Sequence, residues 1–281
     1  MKIEEPTIPL TSKGIQKGVP LKNVLGLEAV TQMGRNLQYA SIDFPVESFY
    51  QEALDGLDAL GLMERGRQVA RALRSTLPSD YSTAVQVLVH SMTPARATVG
   101  DLGVSTFFYL PYGTFLSEYG SAQREFFDAS MWGLQELTMR FTSEYAIRAF
   151  LLVDEEQTLS QINDWLVHPN PHVRRLCSEG TRPLLPWGKK LPRFLEDPER
   201  TRWILEALRD DHTLYVRRSV ANHLGDLAKS HKEWVFLLCH EWLQDATADR
   251  QWMVRHAVRY WAKQHDPQAL EIRKKAGGRQ L

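Results

Sequence analysis

Three carboxylates sit in surroundings that do not ordinarily hold a carboxylate. Glu144 lies in Arg140-Phe141-Thr142-Ser143-Glu144-Tyr145-Ala146-Ile147-Arg148, Glu179 in Leu176-Cys177-Ser178-Glu179-Gly180-Thr181-Arg182, and Asp226 in His223-Leu224-Gly225-Asp226-Leu227-Ala228. All three settings are apolar and helical in period. Carboxylates so placed can stabilise a developing cation or orient water. Each also has a local reading. Glu144 follows Thr142-Ser143 and suits a helix N-terminus. Glu179 has Arg175 at i−4 and Arg182 at i+3. Asp226 could cap or brace.

Directly after Glu179 comes Thr181-Arg182-Pro183-Leu184-Leu185-Pro186-Trp187-Gly188-Lys189-Lys190-Leu191-Pro192. Three prolines stiffen it, and a Trp beside Arg182, Lys189 and Lys190 suits stacking on a base while phosphates are held. The competing fate of Trp187 is a plug in the core.

Several motifs are absent: G-x-x-x-x-G-K-[ST], G-x-G-x-x-G, H-E-x-x-H and G-x-S-x-G. His168 and His172 have metal-like spacing, but Pro169 and Pro171 make a loop or cap the better reading. No metal or organic cofactor is expected.

The elements that must position these acids are helices. Spacings of three and four recur over 50–76, broken near Gly61 and stopped at Pro78, then over 81–92 and in two segments of 126–152. Val104–Leu110 is the one stretch that could be extended. In the second half a repeat emerges. His172-Val173-Arg174-Arg175-Leu176 is echoed by Tyr215-Val216-Arg217-Arg218-Ser219 and by Met253-Val254-Arg255-His256-Ala257, the valines 43 and 38 residues apart. Tyr145-Ala146-Ile147-Arg148 is a weaker earlier copy. A period near 40 belongs to HEAT-like helix pairs. Each echo follows a polar break and begins the inner helix of its pair, so the acids fall on successive inner helices roughly 10 Å apart and are expected to converge. The fold class is all-α, an α-solenoid. The expected organisation is an extended arm over 1–20, one HEAT-like-repeat domain over 21–268 and a basic tail over 269–281.

The first Arg of each echo (Arg174, Arg217, Arg255) can brace the neighbouring pair through an acid. The second, Arg175 or Arg218, points about 100° further round and suits a phosphate-facing row. Lys and Arg total 34 and Asp and Glu total 34, so net charge is zero. Residues 168–281 carry 21 of the former and 14 of the latter, net +7, which leaves 13 against 20, net −7, in 1–167. Neutrality is thus a cancellation that limits indiscriminate binding of polyanions. Cys177 and Cys239 read as buried thiols. An acidic N-terminus and the lack of a long apolar run lead us to expect a soluble, cytoplasmic monomer.

The stretch from His168 to Gly188, with Ser143-Glu144-Tyr145-Ala146-Ile147-Arg148 and Tyr215–Leu224, resembles the AlkC/AlkD superfamily of DNA alkylation repair glycosylases, the AlkC branch most. The resemblance runs from about residue 20 to about 265. It implies a right-handed superhelix of HEAT-like repeats with a basic concave face. The implied activity is cleavage of the N-glycosidic bond of positively charged alkylated bases, of the 3-methyladenine and 3-methylcytosine class, in double-stranded DNA. It implies that Glu144, Glu179 and Asp226 line the cleft, with Trp187, Arg175 and Arg182 near the DNA. Some members carry a C-terminal immunoglobulin-like domain, and this chain reads as lacking one.

A base that already bears a positive charge needs no general acid to leave. The expected roles are therefore Glu144 and Glu179 stabilising the sugar cation and Asp226 orienting water, without a metal and without base flipping. Arg148, Arg175, Arg182, Lys189, Lys190 and Arg218 are expected to hold phosphates, with Trp187 beside the DNA. The rival reading is a HEAT-repeat DNA- or protein-binding module without chemistry. Acids among the arginines weigh against it, because acids repel phosphate.

Overall fold

Proline and short polar side chains punctuate this chain. Asp80, Asp154, Asn170, Thr247 and Asp266 each accept a backbone N–H in the first turn of the helix they precede, and Pro171 and Pro267 open two of those helices. The computed structural model describes residues 4–10, 14–100 and 103–278. Among these the regular structure is entirely helical. The chain divides into two compact units, Met1–Val153 and Asp154–Leu281.

The first unit holds α1 (Leu27–Ala40), α2 (Val46–Leu54), α3 (Leu62–Thr76), α4 (Tyr81–His90), α5 (Leu110–Gly120), α6 (Phe127–Thr138) and α7 (Ile147–Val153). Met33, Leu37, Phe49, Leu73, Tyr81, Tyr112, Phe115 and Leu134 form its core. Gly103–Tyr109, the stretch that could have been extended, is a 3-10 helix running into α5. Of its three consecutive aromatic residues, Phe108 and Tyr109 are buried. In the N-terminal arm, the Asn36 amide of α1 donates to Thr7 O at 2.7 Å and accepts from Thr7 N at 3.3 Å.

The second unit holds α8 (Glu155–Trp165), α9 (Pro171–Gly180), α10 (Pro192–Glu196), α11 (Glu199–Leu208), α12 (Leu214–Leu227), α13 (Lys232–Trp242), α14 (Ala248–Ala257), α15 (Arg259–Lys263) and α16 (Pro267–Lys275). The echoed segments become α9, α12 and α14, with α12 packed between the other two. The helices α8, α11, α13 and α16 cover one side of that row. Val173, Val216 and Val254, the repeat markers, are fully buried, as are Ile162, Ile204, Val220, Leu224 and Ile272. The stretch after 268 includes most of α16, with Ala269 and Ile272 buried. Cys177 and Cys239 are buried free thiols, and burial pushes the Cys239 thiol up to about 12.

The first arginines of the echoes brace the row. Arg174 donates Nε to Asp211 Oδ2 at 2.6 Å and Nη2 to Oδ1 at 3.1 Å, and its Nη1 caps the carbonyls of His168 and Pro169. Arg217 pairs with Asp249 at 2.8 Å and donates to the Asp211 carbonyl. Arg255 donates to the Ala276 carbonyl. Arg174 thus locks α9 onto the segment before α12 through a nearly dry two-pronged contact, the strongest kind, whereas Arg217 reaches an exposed acid in the first turn of α14 and Arg255 reaches the end of α16.

Candidate active site and nucleic-acid interface

Arg175, Glu179 and Arg182 follow one another at i, i+4 and i+7, on and just past the end of α9. Asp226, in the last turn of α12, lies opposite. The Arg182 guanidinium joins them: Nη1 donates to Glu179 Oε1 at 2.5 Å and Nε to Asp226 Oδ2 at 2.9 Å. Glu179 Oε2 accepts from Ser219 Oγ at 2.7 Å, and Arg175 Nη2 stands 3.6 Å from Oε1. Glu179, Arg182, Ser219 and Asp226 are all buried. Both local partners expected for Glu179 are present, so pairing within α9 and assembly of two acids occur together.

The electrostatics follow from this wiring. Burial alone would raise the Glu179 carboxyl, but Arg175, Arg182 and the Ser219 hydroxyl outweigh it and hold the group below the usual carboxylate range. Arg182 is likewise raised, because Glu179 and Asp226 outweigh its burial. Glu179 is therefore a fixed anion. Asp226 Oδ1 faces Lys229 Nζ at 3.4 Å, a looser contact than that of Oδ2.

Glu144 belongs to the first unit, in the turn before α7 rather than on a helix. Ser143 anchors that turn, with its hydroxyl on Leu134 O at 2.7 Å and its carbonyl accepting from Ala146 N and Ile147 N. Tyr145 Oη donates to Leu110 O at 2.8 Å, and a Cβ at Gly113 would overlap this phenol. The irregular stretch after α4 has a part too: Arg96 donates to the carbonyls of Met139 and Arg140, and Arg140 donates back to Thr93 O. These ties set the backbone leading to Glu144.

The basic residues divide. Arg218, Lys189 and Lys190 are exposed. Arg175 is mostly covered, its guanidinium 4.9 Å from the Tyr215 ring centre and near Glu179. Arg182 is buried between two acids, and its charge is spent on them. The sequence led us to expect a phosphate contact from Arg148, but its side chain is fully buried and presents no exposed guanidinium. Arg148 is the second residue of the short α7, whose whole first turn is core, and its repeat position follows that turn inward.

Trp187 is no core plug. It is 77% exposed, with φ of 65°, at the third position of a turn in which Gly188 N donates to Leu185 O. Pro186 in the second position and a positive φ in the third have the form of a type II turn, a place normally taken by Gly or Asn. A second bond, Leu191 N to Pro183 O, closes the base of the loop.

Ser219 and Tyr215 were missed in the sequence. A signal existed for Ser219. It occupies the echo position held by Leu176 and Ala257, and a hydroxyl at a place otherwise apolar marks a buried polar partner. Tyr215 carried no such signal. Among the described residues no cluster of three or more His, Cys, Asp and Glu side chains is arranged to hold a metal ion. No helix among them is long and apolar enough to cross a membrane.

Comparison with known proteins gives this geometry its context. The sequence model of the DNA alkylation repair enzyme family matches residues 139–261, which hold all three acids and the Trp187 loop. A Bacillus subtilis (strain 168) protein, described as uncharacterized protein YhaZ, is 35% identical over 253 residues, covering 90% of this chain and 67% of that protein. The solved structure of Pseudomonas fluorescens alkylpurine DNA glycosylase AlkC, bound to DNA containing an abasic site analog, matches with 34% identity and a TM-score of 0.81. That match covers 90% of this chain and 67% of that one, so the chain spans about two-thirds of each relative. The all-helical architecture is that of the helical-repeat fold of AlkC, and the chain belongs to the DNA alkylation repair enzyme family.

Proposed function

We propose that this protein is a DNA glycosylase that hydrolyses the N-glycosidic bond of positively charged alkylated bases, of the 3-methyladenine and 3-methylcytosine class, in double-stranded DNA. The observation that carries this reading is the buried Glu179–Arg182–Asp226 cluster, two acids from successive inner helices of a basic repeat unit. Its relation to AlkC, whose solved complex contains DNA with an abasic site analog, supports the same chemistry.

The reaction needs little. When the bond between sugar C1′ and the base nitrogen breaks, its electron pair passes to the base and cancels the base's positive charge. The sugar is left with an oxocarbenium-like cation, to which water adds with loss of a proton. Glu179, held ionised by its donors, supplies fixed negative charge to that cation and is a poor proton acceptor. Asp226 orients the water through Oδ1, the more loosely held oxygen. Glu144 adds negative charge to the sugar cation. Trp187 stacks at the lesion, the base stays outside any pocket, and Lys189, Lys190, Arg175 and Arg218 meet phosphates. The protein acts as a cytoplasmic monomer in this reading.

The decisive measurement is release of free methylated base from alkylated duplex DNA by purified protein without added metal. Wild type is expected to release it. Glu144→Gln and Asp226→Asn are expected to lose about 100-fold or more in rate while still binding DNA. Unchanged release in both variants would overturn the roles. Binding without any release by wild type would instead favour the non-catalytic DNA-binding module.

A further inference from the structure

The polar contacts between α9 and α12 form a ladder. Arg175, Glu179 and Arg182 meet Tyr215, Ser219 and Asp226, in the same order along both segments. The outer rungs join a guanidinium to a ring and to an acid. The middle rung joins a carboxylate to a neutral hydroxyl, Ser219 Oγ, at 2.7 Å from Glu179 Oε2. Both arginines stand closest to the other oxygen, Oε1, at 2.5 Å for Arg182 and 3.6 Å for Arg175. An ionised carboxylate only accepts, so the single hydrogen of the hydroxyl is committed to Oε2. A serine inside a helix ordinarily turns back to the carbonyl of the preceding turn. Ser219 instead reaches across to α9.

The repeat supplies its own comparison. One step along, from α12 to α14, the place of Glu179 is taken by Asn222 and that of Ser219 by Ala257. Acid and hydroxyl are lost together. On α9 the place of Ser219 holds Leu176, and Leu176 and Ala257 are both buried. An apolar side chain therefore suffices to pack this position in the row. The hydroxyl goes with the acid, not with the packing.

We propose that Ser219 is a positioning residue whose hydroxyl, opposite the two arginines, fixes the rotation of the Glu179 carboxylate for its work on the sugar cation. The inference rests on the glycosylase reading above and adds to it a residue that touches neither sugar nor base. The terminal torsion of a glutamate is broad, and contacts at one oxygen leave it free to swing. An anchor on the second oxygen removes that freedom before DNA arrives. A fixed charge aimed at a developing cation needs no reorganisation during the reaction. The groups acting on the charge of Glu179 are Arg175, Arg182 and Ser219. Asp226 of α12 meets it through Arg182, and His223 Nδ1 of α12 lies 3.1 Å from the neighbouring Ser178 carbonyl.

The test compares wild type, Ser219→Ala and Ser219→Thr in single-turnover release of methylated base from alkylated duplex DNA across the acid range. DNA affinity is measured by fluorescence anisotropy, and the Glu179 carboxyl is titrated by NMR. Ser219→Ala is expected to release base about tenfold more slowly with DNA affinity unchanged. The pH at which release fails, and the Glu179 midpoint, should both rise by about one unit, because a donor that favours the anion is gone. Ser219→Thr keeps the hydroxyl and should recover most of both losses. If Ser219→Thr loses its thermal transition, Ser219→Ala decides. An unchanged rate in Ser219→Ala overturns the proposal. So does a slower rate with an unmoved pH dependence and midpoint, which would mark a packing role. If wild type releases no base, the glycosylase reading falls, and the midpoint alone then judges Ser219: a rise upholds its hold on Glu179, and no rise overturns it.

Discussion

Arg182 closes one repeat and Asp226 closes the inner helix of the next, and Nε of the first lies 2.9 Å from Oδ2 of the second. The same guanidinium holds Glu179, so its removal takes the nearest charged partner from two buried carboxylates, leaving Glu179 the more distant Arg175 and Asp226 the looser Lys229. Arg182→Ala is expected to cost about 3 to 5 kcal/mol of unfolding free energy. Urea denaturation measures this, and a loss under about 1 kcal/mol would show that the cluster does not hold α9 to α12.

Arg174 and Arg175 are neighbours with opposite duties. Arg174→Ala breaks a buried two-pronged pair with Asp211 and should destabilise by about 3 kcal/mol. Arg175→Ala removes a ring contact and a longer ion pair and should cost about 1 kcal/mol or less. Parallel urea and DNA-binding titrations should place the first variant's defect in stability and the second's in affinity. Equal stability losses would contradict the division.

Trp187 separates stability from binding. Trp187→Gly relieves a left-handed backbone that costs a bulky residue about 1 kcal/mol, although glycine also loosens the unfolded chain. The melting temperature should therefore stay nearly unchanged. Affinity for alkylated DNA should fall by about 1 to 3 kcal/mol, the usual range for one stacked base. A variant that melts early with DNA affinity intact would mean that the indole supports the loop rather than the ligand.

Acid should erode the stability of the protein over two pH windows. His256 has a folded pKa of about 4, below its ordinary value near 6.5, so protonation is disfavoured in the folded state. Its contribution begins to fall as pH drops below about 6.5 and levels off below about 4. Asp211 and Glu179 are also held below their ordinary values. For Asp211, Arg174 and the Thr213 N–H overcome burial, and for Glu179 the arginines do. Their stabilisation is present above the unfolded carboxylate value, about 4, and is lost as pH falls through the folded ones. Urea midpoints from pH 8 to 3 should show both limbs, His256→Gln flattening the upper and Asp211→Asn the lower. Superimposable curves for all three proteins would refute the assignment.

The His256 resonance offers an independent check on the phosphate contact proposed for Arg218. Arg218 on α12 and Arg259 on α15 are the cations that depress it, while Asn222 presents a neutral oxygen. A bound phosphodiester would cancel part of that positive field, and the NMR titration midpoint should rise from about 4 when duplex DNA is added. A midpoint that does not move would place the DNA elsewhere.

Much of this could be read from the chain alone. Repeated Val-Arg pairs, the proline and asparagine caps and the period of three and four placed α9, α12 and α14, because helix formation and capping depend on neighbours a few residues away. Glu179 and Asp226 stood out for the same local reason, as acids in apolar helical company. The tertiary structure decided what those residues touch. Arg182 and Asp226 are 44 positions apart, and Ser219 is 40 from Glu179. Such pairs depend on the register at which α12 packs on α9, and no local pattern contains that register. Packing also turned Arg148 inward and left Trp187 outside, because burial is settled by which neighbours arrive, whereas sequence sets only which faces are available to them.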